Sequence, residues 1–387
     1  MRSALLLMLA AVSGACEAAD PIAAPADTGT VYAVDSVAPD SSSETEPKDD
    51  GTDATDATPA CSSLETVTPL PVDPTCKPKS GDYRPGATDD GFAMCISDDN
   101  SYHPFNTSIS SIARVTAFDD IAAKLRFGSD AVPTPADFLD ARTIFTADQG
   151  LGSRVERRED EHYPPAAKAC NMMTADELAM NKDRCAGPAK LLPIINAAFA
   201  AGAMGMDPRA NADRVEAALL WFLYISPFKE ARTCTNAVAD CDSSYAYYTG
   251  GEARSAGKGF ARYVRTRSLQ THDAIWDGLL AVRCWRDLDN PTGAAMDLTL
   301  RDKAVNQLDR ALTRGLAVIV RQRIQRRLCG SAWLTAQILG GVLDRDATLR
   351  DGTKATVLRA ELAKADPKTV DEKALLAALD ALFPCAW

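Results

Sequence analysis

"SIARVTAFDDIAAKLRFG", residues 111–128, decides the class of the fold. Ile112, Val115, Phe118, Ile121, Ala122 and Leu125 recur at steps of three and four residues, and Gly128 ends the run. That spacing puts the apolar side chains on one face of an α-helix. The next stretch, "PTPADFLDARTIFTADQG" (133–150), opens on proline and closes on glycine, the asymmetry of helix ends. Similar patterns predict helices over 189–204, 208–232, 271–288, 300–328, 331–343 and 370–383. Alternating strand-like runs bounded by turn pairs are missing. The expectation is an all-α, multi-helix bundle from residue 108 to 387.

The chain also echoes itself. "ARTIFTADQG" leads through "PIINAAFAAGAMG" to "RVEAALLWFLYISPFKEARTC", and "AYYTGGE" leads through "HDAIWDGLLAVRC" to "LDRALTRGLAVIVRQRIQRRLC". Both series run aromatic-Thr-turn, apolar helix, long helix, cysteine. This is the pattern of a duplicated helical unit, and also one that Ala/Arg-rich helices produce by chance.

Ahead of this body the composition changes. Arg2, the apolar run "ALLLMLAAVSGA" and Cys16 read as a signal peptide over 1–15, too short to span a bilayer. A cysteine directly after Gly14-Ala15 predicts lipidation at Cys16, a plain secretory signal being the alternative. Residues 17–60 hold 11 Asp/Glu and one Lys, so they carry −10 of the net charge of −11. Such a segment buries too little apolar surface to offset its chain entropy, and 16–60 is expected to be an acidic, disordered tether. The remaining body is near neutral, which gives nucleic acid no basic surface to bind. Residues 61–107, rich in Pro, Gly and Asp with three cysteines, read as an irregular lead-in. Without Cys16, ten cysteines remain, an even number in an exported chain and enough for five disulfides. Short loops favour Cys170–Cys185 and Cys234–Cys241.

The residues that could carry chemistry are acidic and phenolic. Glu216 and Glu230 fall on one face of the 208–232 helix together with Leu220, Leu223 and Pro227. A carboxylate turned inward must be paired, hydrogen-bonded or on a metal. Arginine partners, with Arg214 and Arg232 near in sequence, are one reading and metal ligation the other. Fourteen residues separate the two, roughly 21 Å along a helix, so they cannot share one ion. "REDEHY" (158–163) gathers carboxylates with an imidazole; Glu161 and His162 suit a cation, unless this is a solvated charged loop. "RQRIQRR" (321–327) reads as a solvated or salt-bridged helix end. No GxSxG, HExxH or phosphate-binding glycine loop occurs, and no enzyme is expected.

"CDSSYAYYTGG" (241–251) places Asp242, Tyr245 and Tyr248 on one helical face. The order of "ADRVEAALLWFLYISPFKEARTC", this segment, "RGLAVIVRQRIQRRL", "SAWLTAQILGGVLDRDATLRDG" and a final cysteine resembles the Fea1-like family, the low-iron-inducible periplasmic proteins of algae. Asp242, Ala246, Tyr248, Thr249 and Gly250 match that family's segment, whereas Ser243 stands in place of its Glu and Tyr245 in place of its Trp. The resemblance implies a secreted or surface-anchored helical protein that binds ferric or ferrous iron or assists its uptake, alongside a membrane transporter or another surface partner. Glu230, Asp242 and Tyr248 would then be hard oxygen donors, with Tyr245, Glu216, Glu161 and His162 as further candidate ligands. The competing expectation is a cell-surface interaction or adhesion module without metal. Either way the chain is expected outside the cytoplasm and at a membrane only through its lipid.

Overall fold

The computed structural model describes residues 67–386 except Gln149. The signal peptide, Cys16, the acidic tether and the first residues of the lead-in lie outside the described residues. Residues 67–110 run irregularly, with one 3₁₀ turn at Ile96–Asp99. Fourteen α-helices follow among the described residues: α1 (Ser111–Leu125), α2 (Pro135–Thr146), α3 (Leu151–Glu156), α4 (Ala175–Met180), α5 (Leu192–Ala203), α6 (Pro208–Thr233) and α7 (Val238–Thr249), then α8 (Gly259–Arg267), α9 (Leu269–Asp289), α10 (Leu298–Gln325), α11 (Ala332–Val342), α12 (Asp344–Arg350), α13 (Gly352–Leu362) and α14 (Glu372–Leu382). No described residue forms a strand, and the protein is all-α. No described helix is long and apolar enough to cross a membrane.

The core is built around α6. Every residue from Val215 to Phe228 is buried, so this helix is enclosed on all sides by α5, α7, α10 and α11. Pro227 cannot donate to the preceding turn. The helix nevertheless continues through it, and α7 backs this stretch, Ser244 Oγ donating to the Pro227 carbonyl at 2.7 Å. α9 and α10 form the other long pair. The two arms of the sequence echo have the same neighbour order, α2–α5–α6 in one and α7–α9–α10 in the other.

Ends are set locally. Thr134 and Asp137 make a reciprocal capping box on α2. α7 closes on Gly250 at φ +68°, in the left-handed region that glycine adopts without cost, and its N–H reaches the Ala246 carbonyl at 2.8 Å.

Four disulfides join described residues. Cys170–Cys185 and Cys234–Cys241 close short loops. Cys95–Cys284 ties the lead-in to α9, and Cys76–Cys385 ties it to the C-terminal segment, 309 residues away. Such pairings belong to an oxidising compartment and agree with an extracytoplasmic protein.

Candidate functional site

Asp242 is buried near the start of α7 and is fully engaged. Its Oδ1 accepts from the Phe105 amide at 3.0 Å and the Tyr102 hydroxyl at 3.2 Å; its Oδ2 accepts from the amide and side chain of Asn106 at 2.9 and 3.2 Å. The carboxylate therefore satisfies two backbone donors of the irregular lead-in and clasps that segment to the helical body. Tyr102 stacks on Tyr245 with ring centres 4.1 Å apart.

The tyrosines share a helix but not a target. Tyr245 donates to the Glu252 carbonyl at 2.9 Å. Tyr248 meets His272 Nδ1 at 2.9 Å, and His272 Nε2 lies 2.8 Å from the Arg254 carbonyl. Because a carbonyl only accepts, Nε2 carries the ring proton and Nδ1 accepts from the phenol. Burial lowers the pKa of His272 and raises that of Tyr248 well above its ordinary value, which favours the neutral pair. Tyr247, the cluster's third phenol, is equally a core residue, with Arg158 above its ring.

Neither glutamate of α6 pairs with the arginine nearest in sequence. Glu230 meets Arg158 at 2.8 Å and Lys229 at 3.1 Å. Burial opposes its charge, but these two cations prevail and hold its pKa below the usual carboxylate range. Arg158 stands over the rings of Phe222 and Tyr247, about 5 Å from each centroid. Glu216 Oε1 accepts from Arg323 at 2.6 Å and from the Tyr263 hydroxyl at 2.5 Å, all three buried. Arg323 belongs to "RQRIQRR", whose salt-bridged reading holds and whose solvated reading does not at this position: this arginine is 0% exposed and is the core counter-ion of Glu216, while Arg321 pairs with Asp380. The signal was present, since Arg323 lies one turn after Ile319 and shares its inward face.

"REDEHY" is likewise no solvated loop. His162 is stacked on Phe228 with ring centres 4.1 Å apart, and carboxylates hold it from both sides: Asp160 at 2.5 Å from Nδ1 and Asp309 at 2.8 Å from Nε2. Burial raises both carboxyls to about 7, and for Asp309 the charge of Asp160 adds to the effect. Glu161 pairs with Arg184 at 2.6 Å and approaches Arg232 at 3.6 Å.

These donors do not fit an iron ion. Asp160 and Asp309 lie at opposite ends of one imidazole, Glu216 and Glu230 face guanidinium groups, and Asp242 is spent on amides. Among the described residues, no group of three or more His, Cys, Asp or Glu side chains is placed to hold a metal. The phenol of Tyr248 is buried against His272, where forming the phenolate that iron prefers is disfavoured. What these residues do chemically is neutralise and cross-link. They join segments up to 147 residues apart with charge-assisted bonds inside the core. Comparison with family models, with curated proteins and with solved structures returned no match.

Proposed function

We propose that the protein is an extracytoplasmic interaction module, held at a membrane surface by a lipid on Cys16 and without catalytic machinery of its own. The observation that supports this reading is the internal use of the oxygen donors: Glu216, Glu230 and Asp242 are each saturated or paired by a neighbour within the fold. Four disulfides add to it, since they stiffen a body that has to keep its shape outside the cell. Two of them, Cys76–Cys385 and Cys95–Cys284, anchor the lead-in, as suits a body carried on a long tether.

The iron-assimilation role implied by the family resemblance is the competing proposal, and one experiment separates the two. Oxidised protein, purified without an affinity metal, is exposed to ferric iron, desalted and analysed by inductively coupled plasma spectrometry. The module reading expects no stoichiometric iron. It also expects Asp242→Ala to lose about 2–3 kcal/mol and Tyr248→Phe about 1 kcal/mol of unfolding free energy with metal content unchanged. One equivalent of iron with a tyrosinate charge-transfer band, lost in Tyr248→Phe, would overturn it.

A further inference from the structure

A cavity of about 240 Å³ opens beside the Glu216–Arg323 pair. Its lining includes three arginines, Arg262 and Arg267 of α8 and Arg323 of α10, together with Tyr263, Phe127 and Val67. Among the described residues, no carboxylate lines it. Arg323 is 0% exposed and touches Glu216 through Nη2 alone, while its Nε and Nη1 meet no hydrogen-bond partner among the described residues. Arg267 is also buried, and its guanidinium is shared between Gln322 Oε1, the Tyr263 carbonyl and Thr266 Oγ1, all of them neutral. Among the described residues, two buried cations thus face one buried carboxylate. The imbalance is felt: burial, and then the neighbouring Arg323, lower the pKa of Arg267 to about 9. Arg262 stands half-exposed at the rim, 3.2 Å from Asp119.

An uncompensated buried charge is expensive, and a core retains one mainly where something neutralises it. Planar guanidinium forks match an oxyanion in two-point contacts. The apolar wall of Phe127, Val67 and the Tyr263 ring asks for more than a bare inorganic ion, and the volume lies below the roughly 300–1,000 Å³ of pockets for drug-sized ligands. We propose that this cavity binds a small organic carboxylate, its carboxylate on Arg323 and Arg267 and its apolar part against Phe127 and Val67. The cavity adjoins Glu216, one of the candidate iron donors, but it offers arginines rather than that carboxylate to its ligand, so carboxylate titration and iron uptake give separate results.

The test is calorimetric titration of the oxidised full chain with benzoate, succinate and inorganic phosphate, at ionic strength matched with sodium chloride. Benzoate or succinate is expected to saturate one site with Kd below about 1 mM, and to raise Tm as a ligand of the native state must. Phosphate is expected to bind about 10-fold more weakly, because it leaves the apolar wall unfilled. Arg267→Gln should weaken carboxylate binding about 10-fold through loss of a charge-assisted pair. Should that buried variant fail to fold, Arg262→Ala at the rim carries the test, with about 3-fold weakening expected. Three results would each sink the proposal: no saturable binding of either carboxylate, phosphate binding as tightly as the carboxylates, or unchanged affinity in the folded arginine variants.

Discussion

His162 is held at both ring nitrogens by carboxylate oxygens, and an imidazole can satisfy both contacts only with one proton beyond its neutral complement. That proton sits on the ring or on one carboxyl, and the cluster titrates as a unit. The sign of its effect follows. Asp160 and Asp309 are raised in the folded protein to about 7 from the ordinary 3.8, so the stability they contribute is fully present below about pH 4 and is lost as pH rises through 7. Above that, two acceptors confront one ring with a single N–H. The midpoint of chemical denaturation should therefore fall as pH rises from about 4 to 7 and level off above 7, and the fall should be smaller in Asp309→Asn. An equal fall in both proteins would show that other groups set the dependence. The sequence marks His162 and Glu161 as chemically dense, yet it gives no sign of Asp309, which arrives from α10 far along the chain. The same holds for Arg158 beneath Glu230.

Helices were the most legible level. The apolar-periodic elements α5, α6, α9, α10, α11 and α14 appear within three residues of the bounds their spacing predicts. The helices α3, α4, α8 and α12 were not legible, because six to nine residues carry too few periods for the pattern to stand out, and α13 (GTKATVLRAEL), though as long as α11, carries few large apolar residues. How closely two helices approach is a property of the pair. A Cβ added at Gly278 in α9 would lie 2.6 Å from Leu308 Cα in α10, whereas one added at Gly341 in α11 meets nothing within 4 Å. Both exchanges gain about 0.5–1 kcal/mol of helix propensity. At Gly278 overpacking against backbone costs about 1–3 kcal/mol and wins. Gly278→Ala should lower thermal stability and Gly341→Ala should raise it slightly; a rise in both would mean that α9 and α10 separate freely.

At the scale of the molecule, covalent links join the lead-in to the rest. Cys95–Cys284 and Cys76–Cys385 close loops of 189 and 309 residues, the sort of constraint that removes most freedom from an unfolded chain. Cys95→Ser combined with Cys284→Ser should cost about 2–5 kcal/mol in equilibrium unfolding, and protease should then cut within 67–110 before the helical body. Protection of that segment equal to wild type would assign its order to the Asp242 clasp and the remaining Cys76–Cys385 bond. By itself the sequence determined that the body is helical and that its cysteines suit an oxidising compartment, because periodicity and composition are local quantities. Which carboxylate meets which cation was decided only in the tertiary structure. Glu216 with Arg323, Glu230 with Arg158 and His162 with Asp309 are pairs set by where distant helices cross, and a buried charge is satisfied by whatever lies across from it in space. The arginine cavity has the same origin: α8 and α10 bring the buried Arg267 and Arg323 to one lining, and nothing in either segment alone shows that they share it.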